Sequence, residues 1–139
     1  MNTSPPVALA CIIDDDNIYV NLVKKIIETK KLCDNLIVLK NGKLGIDYFE
    51  AILQNTSKDQ LPDIIFLDLN MPIMDGWEFL ERFSKIKNKF NKVITLYIVS
   101  SSINPIDIER AKKFTGVSDY LIKPMDINGL ELIFRKESA

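Results

Sequence analysis

The chain has 139 residues, 47% of them hydrophobic, and its 18 basic and 19 acidic side chains leave a net charge of −1. That is one domain's worth of chain with enough apolar material for a buried core, and it lacks the compositional marks of disorder. The near-neutral balance excludes the basic footprint of generic nucleic-acid binding, so no direct DNA binding is expected.

Histidine is absent. Its absence removes Ser/His and Cys/His nucleophile pairs, histidine-ligated metals and any phosphohistidine of the chain's own. Residues 1–7 are expected to be a flexible N-terminus, because Met1 to Pro6 is polar and proline-containing. No basic stretch leads into an apolar one, so no secretory signal is expected and the predicted location is cytoplasmic. The longest apolar runs reach about seven residues, where a bilayer span needs about twenty. No membrane association is expected.

Val7–Ile13 is an unbroken apolar run and predicts a strand covered on both faces. Cys11 within it is expected to be a buried thiol, and it shares no metal-like spacing with Cys33. Asp14, Asp15 and Asp16 follow, and Asp16 is placed to cap the first helix. Tyr19, Leu22, Val23, Ile26 and Ile27 recur at helical spacing and predict its core-facing stripe. Leu36–Leu39 predicts the second strand, and Asn41-Gly42 the turn into a helix carrying Tyr48, Phe49, Ile52 and Leu53. Gln54–Pro62 reads as a polar loop. Ile64–Leu67 predicts the third strand, after which Asp75 can cap a helix with Glu78 three residues on. Phe79, Leu80 and Phe83 should face the core, and Trp77 reads as a packing or surface aromatic. Val93–Val99 predicts the fourth strand, and Asn104-Pro105 the N-cap and first residue of a fourth helix. Tyr120–Ile122 predicts the fifth strand, and Asp126 caps a fifth helix with Ile127, Leu130 and Phe134 inward.

Strict alternation of strands and helices implies an α/β fold, with a doubly wound parallel sheet and helices on both faces. The chemistry-bearing residues stand at the ends of those strands. Asp14 to Asp16 follow the first, Asp68 the third, Ser100 ends the fourth and Lys123 the fifth. Open α/β sheets bind ligands at the carboxyl ends of their strands, near the point where strand order reverses. Taken in the order 2-1-3-4-5, the first and third strands are neighbours, and one pocket collects these residues. Carboxylates held so close demand a cation, and Mg²⁺ prefers such oxygen ligands together with water and phosphate. With Lys123 as a second positive charge, the set is sufficient for phosphoryl transfer, which needs mainly alignment and charge neutralisation.

The stretches Ile12-Ile13-Asp14-Asp15-Asp16, Leu67-Asp68-Leu69-Asn70-Met71-Pro72-Ile73-Met74-Asp75-Gly76, Val99-Ser100-Ser101 and Asp119-Tyr120-Leu121-Ile122-Lys123-Pro124 resemble the response-regulator receiver domains of bacterial two-component signalling. The resemblance runs from Ala8 to Phe134 and is to the stand-alone, chemotaxis-regulator-like members. It implies a flavodoxin-like (βα)5 fold with a receiver domain over 8–136 and a C-terminal tail at 137–139. Asp68 matches the phospho-acceptor. Asp15, Asp68 and the backbone carbonyl of Asn70 would bind Mg²⁺, with Asp14 acting through water. Lys123 and Ser100 match the groups that stabilise the phosphoryl oxygens, and Ser100 and Tyr120 the switch pair. Pro124 matches a proline that follows a cis bond. Ser100 stands where threonine is more usual and Ser101 where alanine is frequent, while Asn70 and Ser102 occupy positions that tune hydrolysis of the acyl phosphate.

The function implied is that of a phosphorelay switch. A histidine kinase or histidine phosphotransfer protein, or a small acyl phosphate, would supply the phosphoryl group. The first helix and the loops around the pocket would form the docking surface. A downstream protein would read the face formed by the fourth helix, fifth strand and fifth helix, on a monomer or a phosphorylation-dependent dimer. No output domain is expected beyond the fifth helix. The module would catalyse its own phosphorylation and dephosphorylation without being a turnover enzyme. Two other readings stand beside it. A Mg²⁺-dependent phospho-Asp phosphatase or phosphotransferase would need a second Asp two residues after the nucleophile, where Asn70 stands. An inactive receiver used as a scaffold would make no use of the key side chains.

Overall fold

The computed structural model describes residues 7–55 and 60–138. The elements run β1 (Val7–Ile13), α1 (Asn17–Lys30), β2 (Cys33–Leu39), α2 (Gly42–Leu53), β3 (Ile64–Leu67), α3 (Gly76–Ile86), a 3₁₀ turn at Lys87–Lys89, β4 (Thr95–Ser100), α4 (Pro105–Lys112), β5 (Val117–Ile122) and α5 (Ile127–Ser138). The strands form one parallel sheet in the order β2-β1-β3-β4-β5. The register sets Ile13 beside Leu67 and Leu67 beside Ile98, so β1, β3 and β4 end at one edge.

Alternate residues of each strand point to opposite faces, and both faces are covered. Cys11, Ile13, Ile65 and Leu67 pack with Phe49, Phe79 and Phe83 of α2 and α3. Ala10, Ile12, Ile64 and Phe66 pack with Val20, Val23 and Ile27 of α1 and with Leu130 and Phe134 of α5. This two-sided burial explains the unbroken apolar reading of β1 and β3. Burial pushes the Cys11 thiol up to about 12, so it packs as an apolar side chain.

The caps fall where the sequence placed them. Asp16, Asn41, Asp75 and Asn104 each accept a backbone N–H in the first turn of α1, α2, α3 and α4. Asp126 accepts from Gly129 in the same way at α5.

Several expectations need correction. The core stripe of α1 is Val20, Val23 and Ile27; Leu22 is 52% exposed, and Tyr19 is only half-buried. Ile127 is 46% exposed and does not face the core. Leu22 and Ile127 instead line a shallow groove between α1 and α5, because two helices on one sheet face leave their facing flanks partly open. β2 and β5 are longer than predicted, since Asp34, Asn35, Ser118 and Asp119 belong to strands. Both are edge strands, where polar residues meet solvent and the apolar pattern fades. Val93 is exposed and precedes β4, which starts at Thr95.

At the C-terminus, α5 continues through Ser138. Glu137, assigned to a tail by the sequence reading, accepts from Thr95 Oγ1 at 2.6 Å and Tyr97 Oη at 2.8 Å and ties α5 to β4. The flexible N-terminal segment predicted for 1–7 lies outside the described residues except Val7, which is buried in β1. The predicted loop 54–62 falls partly outside them as well.

Ile73, in the loop after β3, has φ 71°. A β-branched residue in the left-handed region is strained, at about 1–2 kcal/mol. The loop keeps it there because Gly76 N–H bonds the Leu69 carbonyl at 2.9 Å and Met71 and Met74 are buried on either side.

Equilibrium urea unfolding should separate the two versions of the α1 stripe. Ile27→Ala is expected to lose about 2–5 kcal/mol and Leu22→Ala about 0.5 kcal/mol; equal losses would restore Leu22 to the core. In the same assay Ile73→Asn should gain about 1 kcal/mol by relieving the backbone.

Candidate functional site

The site begins with backbone geometry at the ends of β1 and β3. Asp14 N–H extends the ladder to the Leu39 carbonyl at 3.0 Å, and Asp68 N–H extends it to the Ile13 carbonyl at 2.9 Å. These bonds hold both aspartates one step beyond paired strands, so their side chains emerge at the same edge. Gly76 brings the loop after β3 back against that edge. A Cβ there would lie 2.4 Å from the Asp68 carbonyl oxygen and 2.8 Å from Leu69 Cα. Only glycine permits so close a return.

Carboxylate oxygens of Asp14, Asp15 and Asp68 lie within 4.8 Å of one another. Asp14 is 2% exposed and both its oxygens are engaged: Oδ1 accepts the Asp16 N–H at 2.9 Å, and Oδ2 meets Lys123 Nζ at 2.8 Å. Asp15 is exposed, and Asp68 is buried. Lys123 reaches in from the end of β5, its backbone N–H bonded to the Ser100 carbonyl at 2.9 Å. Its Nζ stands 3.7 Å from Asp68 Oδ1, and the Lys123–Pro124 bond is cis.

This arrangement is short of positive charge. Burial, and next the neighbouring Asp14, push the Asp68 carboxyl up to about 6, against the opposing pull of Lys123. One ammonium among three carboxylates leaves a net negative pocket of hard oxygen donors, which is what Mg²⁺ or a similar cation requires. Beside it opens a cleft of about 440 Å³ walled by Asp15, Asp68, Asn70, Ser101, Lys123 and Tyr19.

Not every predicted residue faces that cleft. Ser100 is fully buried, and its Oγ accepts the Ser102 N–H at 3.1 Å. The Ser102 hydroxyl donates to Asp107 Oδ2 at 2.7 Å and accepts from Asn104 N–H at 3.2 Å. Tyr120 is half-buried, and its hydroxyl donates to the Ser102 carbonyl at 2.9 Å. The loop after β4 is therefore a knot with Ser102 at its centre, tied to Ser100, to the start of α4 and to β5. Asn70 and Ser101 do line the cleft. Trp77 packs, stacked on Phe114 with the Arg110 guanidinium 4.2 Å above its ring.

Two residues escaped the sequence reading. Asp107, in the first turn of α4, carries no motif that marks it, yet it accepts from the Ser102 hydroxyl. Tyr19 packs against the core as its place in the stripe implies, and in addition its ring lies 4.4 Å from Lys123 Nζ and forms part of the cleft wall. Its position four residues after Asp15, one helical turn on, was the available signal.

Comparisons with known proteins identify the family. The family model described as "Response regulator receiver domain" matches residues 10–135. The "Probable methanogenesis regulatory protein FilR2" of Methanothrix harundinacea is 27% identical over 86% of this chain and 74% of its own length. The "Sensor histidine kinase CheAY" of Helicobacter pylori is 32% identical over 87% of this chain, which spans only 14% of that protein. A two-component response regulator from Cytophaga hutchinsonii superposes with a TM-score of 0.76 at 27% identity, covering 94% of this chain and 96% of the other. The chain belongs to the response regulator receiver domain family of two-component signalling.

Proposed function

We propose that this chain is a phosphorylation-controlled switch that accepts a phosphoryl group from a phosphohistidine onto Asp68. The observation carrying this reading is the convergence of three carboxylates within 4.8 Å, with the Lys123 ammonium 2.8 Å from Asp14 and 3.7 Å from Asp68. Asp15, Asp68 and the Asn70 carbonyl are the groups that would hold Mg²⁺, with Asp14 acting through water. When bound, the ion neutralises the carboxylates and the phosphoryl oxygens. A protein of the same family, response regulator Rcp1, has been solved in a Mn²⁺-bound form.

An Asp68 oxygen attacks phosphorus, the P–N bond to the donor imidazole breaks, and the departing nitrogen takes a proton from solvent. Asp68 must be ionised to attack, and Lys123 favours that form. The lysine then has an anion to follow, because the transferred group carries charge away from the carboxyl and into the cleft. With no histidine in the chain, the donor is a histidine kinase, a histidine phosphotransfer protein or a small acyl phosphate.

The switch reading rests on the knot around Ser102. The Ser100 side chain is buried and does not line the cleft, so to donate its O–H to a phosphoryl oxygen it has to rotate toward the cleft, and that rotation releases the Ser102 N–H. That release loosens the loop that also holds the Tyr120 hydroxyl and the start of α4. The charge placed on Asp68 thus biases the loop between two sets of hydrogen bonds, and the face of α4, β5 and α5 reports it to a downstream protein. Ile103 and Ile106 are exposed beside this loop and give that face apolar contact area.

Incubation with labelled acetyl phosphate and Mg²⁺ should give an acid-labile, hydroxylamine-sensitive adduct that Asp68→Asn abolishes without loss of fold. Retention of the label by the variant would refute the acceptor assignment.

Stability should also depend on pH through Asp68. Its folded pKa of about 6 lies above the ordinary 3.8, so between these values the folded state holds the extra proton. The contribution is fully present below about pH 4 and is lost as pH rises through 6. In metal-free buffer Asp68→Asn should therefore stabilise the protein by about 1–2 kcal/mol at pH 7, allowing for partial solvent screening, and by little at pH 4. Urea melts at the two pH values measure the difference, and a gain independent of pH would contradict the electrostatic account.

A further inference from the structure

Lys123 has a contact that no carboxylate provides. Its Nζ lies 4.4 Å from the centroid of the Tyr19 ring, within the range over which an aromatic face attracts an ammonium. The backbone that carries the ring is fixed by the cap of α1. Asp16 Oδ1 accepts the Tyr19 N–H at 3.1 Å, and Asp16 N–H in turn bonds Asp14 Oδ1 at 2.9 Å. The cap that starts α1 therefore ties the backbone of Tyr19 to the carboxylate that Lys123 grips most tightly.

The chemistry of the site gives this contact a use. A lysine tail is long and flexible, and a point charge with no planar fork to orient it. Asp14 holds it at 2.8 Å, yet Asp68 is 3.7 Å away, so carboxylates alone bias the ammonium toward the non-acceptor side. An aromatic face attracts the cation without adding formal negative charge to an already acidic pocket, and it offers no oxygen to compete for a divalent ion. It can therefore back the ammonium while the head group exchanges one anion for another.

We propose that Tyr19 is a positioning residue for Lys123, its ring face holding the ammonium at the cleft beside Asp68. The proposal rests on the acceptor reading of Asp68 and adds a residue to it. The hydroxyl is not required. Phenylalanine at 19 keeps the function, and leucine, a stronger helix former but without a π face, does not.

The first test uses unphosphorylated, metal-free protein. Ring current should shift the Lys123 ε-methylene protons upfield in the wild type and in Tyr19→Phe, and the shift should vanish in Tyr19→Leu. The second measures initial labelling by subsaturating acetyl phosphate with Mg²⁺, in which the P–O bond to acetate breaks as Asp68 is phosphorylated. Tyr19→Leu should slow it about 3- to 10-fold, and Tyr19→Phe should restore most of the rate. Fluorinated phenylalanines at position 19, which keep the ring's bulk while draining its face of electron density, should slow labelling in step with the number of fluorines.

Unmoved Lys123 protons in Tyr19→Leu would overturn the proposal, as would a Tyr19→Phe rate as low as leucine's or a flat fluorine series. An unlabelled wild type would instead overturn the acceptor reading, and the ring-current shift would still decide whether the ring holds the ammonium.

Discussion

Mutual repulsion among buried carboxylates is the constraint around which this protein is arranged. Asp14 and Asp68 sit at the ends of neighbouring strands, 2% and 6% exposed, with Asp15 alongside. Such a cluster opposes folding unless something neutralises it. The fold brings in one ammonium from the far strand β5, which is enough to satisfy Asp14 and leaves Asp68 with a raised pKa. The residual imbalance makes the pocket receptive to a divalent cation. Burial and charge pull against each other at these few atoms, since the fold holds together carboxylates that one ammonium does not neutralise.

Much of the surrounding structure serves that cluster. Gly76 lets the loop after β3 fold back on the Asp68 backbone. Asp16 caps α1 and at the same time steadies Asp14. The three aspartates after β1 thus have three separate tasks: one is gripped by Lys123, one is open to solvent, and one starts a helix. The loop after β4 is the second organised region. In the conformation described, its hydrogen bonds run through Ser102 to Ser100, Asp107, Asn104 and Tyr120. Serine at position 100 suits this arrangement, since it carries a hydroxyl for the Ser102 N–H within a fully buried strand end.

Sequence patterning described β1, β3 and the helix caps well and the periphery less well, for a common reason. β1 and β3 are covered on both faces, so burial leaves a continuous apolar run that can be read without coordinates. Asp75 and Asn104 act over one turn, so their effect is local. The edge strands β2 and β5 contain Asp34, Asn35, Ser118 and Asp119, and their pairing depends on a neighbour distant in sequence. In α1 the apolar residues outnumber the places on the sheet. Periodicity alone could not distinguish Val20, which is buried, from Leu22, which is not.

The functional site divides in the same way. The sequence by itself determined which residues lie at strand ends and that Asp14, Asp15, Asp68 and Lys123 share one rim, because in a parallel sheet every strand ends at the same edge as its neighbours. Only the tertiary structure decided how those residues pair. Lys123 leans to Asp14 before Asp68, the Ser100 hydroxyl turns to Ser102, Asp107 anchors the loop, and Tyr19 packs at the margin of the core with its ring toward the lysine. Side-chain partners of this kind depend on distances of an ångström or two between elements far apart in the chain. Periodicity places a residue on a face or at an end and carries no information at that scale.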